Sequence, residues 1–199
     1  MLGALVLASG GCHHRGLRAL DDTAVAPLYA AVLSDLQRDS ASASVVLDSL
    51  VPSADLDPSM VPQFIGRHRV SRQSVNALRA AQRSRASFSV SMLPDSLWRA
   101  VSSRTLDSLR GVARANPAGR GVPTSPGADS FWRLFHRTFP RTSGYVVLSP
   151  AGISDDGREA LLYVQRTCGA VCGESELWVL RRAPDGRWRT VGRTLMSIS

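Results

Sequence analysis

The strongest constraint on this chain's fold is a set of short connections in its last third. Asp155-Asp156-Gly157 and Pro184-Asp185-Gly186 each end in a glycine, which can take the left-handed backbone that tight hairpins require. Cys168-Gly-Ala-Val-Cys172 is a third compact link. Around these links lie four segments that read as strands, at 144–149, 159–166, 176–182 and 188–195. Links this short force antiparallel neighbours. The expected core of the fold is therefore a four-stranded meander.

The remaining pattern adds helices. Leu28, Tyr29, Val32, Leu33 and Leu36 recur at helical spacing within 23–39, with Asp22 or Thr23 as cap and Pro27 in the first turn. Residues 73–85 and 106–115 are also helical in pattern. In 129–137, Phe131, Leu134 and Phe135 share a face behind an Asp129 cap. Residues 45–51 read as a fifth strand closed by Pro52, and 87–92 alternate as a short strand would. Residues 116–128, rich in Pro and Gly, read as a loop. The expectation is α+β: helices on one face of a four- to five-stranded antiparallel sheet, the C-terminal half mostly β. Residues 23–199 would form one domain.

Cys12 bears on location. It follows the apolar run Met1-Leu-Gly-Ala-Leu-Val-Leu-Ala-Ser-Gly-Gly11 and precedes His13-His14-Arg15. That order resembles a bacterial lipoprotein signal, in which the cysteine after small residues is lipidated. Residues 1–12 would be the signal and 13–22 a tether. The usual positive start is missing and Ser9 stands where Leu is common; a start further upstream would supply the basic residues. No other stretch approaches the ~20 apolar residues of a membrane-spanning helix.

Three residues separate Cys168 from Cys172, a spacing that suits a bridge across a hairpin loop in an oxidising compartment. Free thiols, or a metal or redox role, are the alternatives. A thioredoxin-like pair has two intervening residues, and a zinc site would need two further ligands.

Gly144-Tyr, Leu148-Ser149-Pro-Ala-Gly152-Ile-Ser154, Ala160-Leu-Leu-Tyr163-Val164, Cys168-Gly169-Ala-Val-Cys172-Gly173, Leu180 and Gly186-Arg-Trp188 form a recurring kind of pattern. It resembles a family of uncharacterised exported bacterial proteins, among them lipoproteins, in which "lS..Gfs…Al.yv…CG..CG…G.W" closes the chain. Phe139-Pro140 fits its beginning, while Glu174-Ser175-Glu176 departs from its glycine-rich, neutral segment. The resemblance implies an exported location and a fold, and no chemistry.

All 24 basic residues are Arg. Lys, Asn and Ile, which share AT-rich codons, are scarce together, so a GC-rich genome accounts for the bias without nucleic-acid binding. The charge is nevertheless uneven. Residues 13–60 sum to −4, 61–141 to +11 and 142–199 to +1. If helices 73–85 and 106–115 share a side, the middle third presents a positive surface, with Arg79, Arg83 and Arg85 as its representatives. Reversing these three should then weaken anionic-vesicle binding more than reversing Arg181, Arg182 and Arg187.

Motifs for catalysis are thin. There is no Gly-x-Ser-x-Gly elbow, and the absence of Lys removes Ser-x-x-Lys nucleophiles and phosphate loops ending in Lys. His13-His14 and His68 read as solvated, and His136 as a surface or packed residue. Glu174 and Glu176 share a strand face at a separation near that of an inverting glycosidase pair, although such pairs are common on exposed strands. Trp178 and Trp188 are expected to pack together, and Asp155-Asp156-Gly157 to be a turn rather than a calcium loop. No catalytic, cofactor or metal residue is assigned. The expected function is a non-catalytic, lipid-anchored or exported envelope protein that binds or scaffolds, with a membrane and an anionic envelope surface as partners and no nucleic acid. An envelope hydrolase is the alternative.

Overall fold

The structure, a computed structural model, describes residues 22–39, 43–51, 69–83, 98–115 and 126–198. Among them are four helices and seven strands in one mixed sheet. The helices are α1 (Asp22–Asp39), α2 (Arg72–Arg83), α3 (Ser103–Ala115) and α4 (Pro126–Thr138). The strands are β1 (Ala43–Leu47), β2 (Trp98–Val101), β3 (Thr142–Leu148), β4 (Gly152–Ile153), β5 (Glu159–Gly169), β6 (Cys172–Arg182) and β7 (Trp188–Ile198).

The antiparallel expectation holds for the C-terminal strands, where β3, β5, β6 and β7 are consecutive neighbours. It needs correction for the rest. β1 lies between β2 and β3 and runs parallel to both, so the sheet is mixed. Parallel neighbours require crossover connections. Here the crossovers carry α2 between β1 and β2, and α3 and α4 between β2 and β3.

Helices also cover both faces rather than one. Val46, Val146, Leu148, Leu162, Val164, Trp178 and Leu180 form one core with Leu28, Tyr29, Val32 and Leu36 of α1. Their strand neighbours point the other way, as the two-residue period of a strand demands. Leu161, Tyr163, Leu177 and Val179 meet Val75 and Leu78 of α2. Val45, Leu47, Val101 and Val147 meet Leu106 of α3 and Phe131 and Phe135 of α4. The result is three layers, with α1 on one side and α2, α3 and α4 on the other.

The turns behave as their residues dictate. Gly157 and Gly186 have φ of 67° and 79°. The Asp156 carboxylate accepts from Ser154 Oγ and the Arg158 N–H, and Asp185 accepts from the Arg187 N–H. The long edge strand β7 has register shifts opposite Ser175/Glu176 and Val179/Leu180, and such bulges discourage pairing with another chain.

Between β3 and β4 the chain leaves regular pairing for three residues, and side chains complete the bonding. Ser149 Oγ accepts the Tyr163 N–H at 2.9 Å. Gln82 of α2 donates to Ser149 Oγ and to the Pro150 carbonyl. From the opposite layer, the Tyr29 hydroxyl donates to the Ser149 carbonyl and accepts the Ala151 N–H. The interruption is thereby tied to both helical layers. Burial pushes the Tyr29 phenol well above its ordinary value, despite the opposing Ala151 bond, so it remains a donor at any physiological pH.

Candidate functional site

The helical layer formed by α2, α3 and α4 carries the charge asymmetry. α2 has no acidic residue. Its Arg72, Arg79 and Arg83 are seven and eleven residues apart, which places them within about 40° of one another around the helix. Arg72 and Arg83 are exposed and Arg79 is half-buried. α3 adds Arg104, Arg110 and Arg114, and α4 adds Arg133 and Arg137. Against these eight Arg stand Asp107 and Asp129, and Arg110 is paired with Asp107 at 2.8 Å. α1 on the opposite face has three Asp and one Arg.

That acidic end is neutralised internally. Asp35 and Asp39 pair with Arg193, whose guanidinium lies 3.8 Å from the centre of the Trp178 ring. Asp39 also approaches Arg166 at 3.8 Å, and Arg166 pairs with Glu174.

Arg79 and Arg83, singled out by the charge pattern, stand together on the exposed side of α2. Arg72 joins them there, although the charge pattern alone does not distinguish it. Arg85, Cys12, His13, His14 and His68 lie outside the described residues. Cys168 and Cys172 are disulfide-bonded, with their Cα atoms 5.1 Å apart. Cys168 is the extra residue in a register shift beside the Ala170-Val171 turn, so the bridge joins the two strands at the exposed hairpin tip. Glu174 and Glu176 do share a face, but each is engaged: Glu174 with Arg166, and Glu176 as acceptor for the Trp178 indole N–H at 2.8 Å. Trp178 and Trp188 belong to the same core under α1, opposite Arg193 and Arg182 in register rather than each other. The described residues contain no group of three or more His, Cys, Asp or Glu arranged to hold a metal ion. No described helix is long and apolar enough to cross a membrane.

Two further constellations join residues too far apart in the chain for sequence spacing to reveal. At the start of α2, Ser71 Oγ caps the Ser74 N–H at 3.1 Å. Glu159, 88 residues away on β5, accepts the Ser71 N–H and the Ser74 hydroxyl and pairs with Arg181 at 3.2 Å. Burial works to raise the Glu159 carboxyl, but the bonds from Ser71, Ser74 and Arg181 outweigh it and hold the group below its usual value. A depressed folded-state value means that the stabilisation is present above the unfolded value of about 4.3 and is lost as pH falls through the folded value. Glu159→Gln is therefore expected to cost about 2 kcal/mol at neutral pH. In urea titrations the gap from wild type should close as the medium is acidified; a gap independent of pH would contradict this assignment.

The second constellation is aromatic. Trp132 stacks on Tyr145 with ring centroids 6.0 Å apart and 16° between planes, and makes edge contacts with Phe131 and Phe135 at 5.1 and 5.2 Å. His136, one turn along, lies 5.8 Å from the indole. The partly buried Trp132, with Arg133 and His136, faces Gly169 and Ala170 of the hairpin tip across an open depression of about 550 Å³. Only the helical spacing of Trp132, Arg133 and His136 is visible in the sequence; the opposing wall comes from residues over thirty positions away.

The chain matches no protein-family model, no curated protein and no solved structure.

Proposed function

We propose that this is an exported, non-catalytic protein of the cell envelope, lipid-anchored at Cys12, whose basic helical layer rests on anionic lipid head groups of the membrane that holds it. The observation that carries this reading is the concentration of charge on one layer: eight Arg against two Asp in α2, α3 and α4, while on the opposite face Asp35 and Asp39 of α1 are paired with Arg193, and Asp39 also with Arg166. Each basic residue near such a surface contributes ~1 kcal/mol, within a Debye length. The exposed Cys168–Cys172 bridge supports export, because disulfides persist in oxidising compartments.

Growth of the native host with a palmitate analogue, using the full upstream reading frame, tests the anchor. Label should appear on the protein in the membrane fraction, and Cys12→Ser should abolish it. An unlabelled, cytoplasmic protein would overturn both the location and the functional reading.

A further inference from the structure

We propose that the depression between α4 and the β5–β6 hairpin tip binds the acidic sugar units of an anionic polysaccharide. Its Arg133 belongs to α4 of the basic layer assigned above to the lipid surface, but the site is argued from the lining of the depression alone and does not depend on that reading.

The depression combines three features that acidic sugars require. First, Trp132 is a partly buried aromatic ring at the wall of the depression, held in place by Tyr145, Phe131 and Phe135. A sugar ring presents an apolar C–H face that stacks on such a surface, and a fixed indole loses little entropy when it does so. Second, the polar groups beside the indole favour an anion. Arg133 and His136 are exposed on the same helix, and a guanidinium recognises a carboxylate through two parallel hydrogen bonds. No acidic residue lines the depression among the described residues. Third, the opposite wall is the hairpin tip at Gly169 and Ala170, whose small or absent side chains leave the depression open on that side. The Cys168–Cys172 bridge joins the two strands at this tip and fixes the wall.

The volume, about 550 Å³, lies within the usual range for ligand pockets. Its open form suits a short stretch of a polymer rather than an enclosed small molecule. His136, beside the indole, can exchange hydrogen bonds with a ring hydroxyl.

The test is titration of the full chain carrying Cys12→Ser with trigalacturonate, followed by calorimetry and by amide and indole NMR shifts. Maltotriose serves as the neutral control and inorganic phosphate as the simple-anion control. Trigalacturonate should shift the Trp132 indole and the Gly169 and Ala170 amides, and maltotriose should bind far more weakly. Arg133→Gln should weaken trigalacturonate binding roughly tenfold. Ala170→Glu, at an exposed turn position, should weaken it at least as much with the fold intact. Arg79→Glu on α2 should leave it unchanged, which separates this site from the α2 part of the basic layer. The proposal is overturned by absence of binding, by shifts confined to other regions, by equal binding of Ala170→Glu and wild type, or by phosphate producing the same shifts at the same concentration.

Discussion

Gly152→Ala is expected to destabilise the protein by about 3 kcal/mol, the upper end of the usual cost of overpacking. The added methyl would fall onto the backbone nitrogen and Cα of Leu78 in α2. A flexible side chain could swing aside, but a helix backbone cannot move without taking its neighbours. Leu78 and Val75 are buried against Leu161, Tyr163, Leu177 and Val179, and α2 is also pinned by Glu159 at its start and by Gln82 near its end. Any retreat of the helix would loosen all of these together. Gly111→Ala is the matched control: its added methyl meets nothing within 4 Å in the exposed helix α3, so alanine's helix preference should stabilise by up to about 1 kcal/mol. Thermal unfolding should therefore show opposite shifts for one chemical change, with Gly152→Ala lowering Tm by about 10 °C. Equal shifts would show that α2 does not pack against β4 this closely.

What the sequence reveals follows from how local each signal is. The antiparallel strands and their turns are legible because Asp156, Gly157, Asp185 and Gly186 act within a few residues of their own positions. The four helices are legible from apolar spacing, to within a few residues at their ends. The parallel placement of β1 is not, because a parallel partner is reached only through a long crossover. A trace of it is nevertheless present. Val45-Val46-Leu47 and Ala160-Leu161-Leu162-Tyr163-Val164 are unbroken buried runs, and such runs mark strands covered on both faces. A sheet covered on one side only conflicts with that trace. β2, with four residues and an exposed Arg99, carries too little pattern to be read as a strand.

The site is legible in charge and not in shape. The excess of Arg in the middle third is plain, but its concentration on one face depends on α2 and α3 packing against the same side of the sheet. The Arg79 and Arg83 assignment meets that condition, and the structure adds Arg72 through its place on the same helical face. Arg181 is a poor control for charge reversal, because it pairs with Glu159 and donates to the Arg69 carbonyl. The Trp132 depression joins residues distant in sequence, and nothing local to α4 announces the hairpin tip beside it.

The central claim is that the α2–α4 layer faces an anionic membrane surface. Arg72→Glu/Arg79→Glu/Arg83→Glu removes three favourable contacts and adds three repulsive ones. At ~1 kcal/mol for each lost contact, binding should fall by at least roughly 100-fold. Arg158→Glu/Arg187→Glu/Arg189→Glu changes the net charge equally at exposed residues of the β4–β5 turn, the β6–β7 turn and the start of β7, where Arg189 pairs with the exposed Asp185, a surface pair of the kind worth little to stability. The direct measurement is co-sedimentation of the full chain carrying Cys12→Ser with phosphatidylserine-containing vesicles, across a salt series. Binding is expected at low salt, with release as salt rises, near-complete loss in the α2 triple and a much smaller loss in the turn triple. Equal losses in the two triples, or no binding to anionic vesicles at any salt, would contradict the membrane-facing assignment.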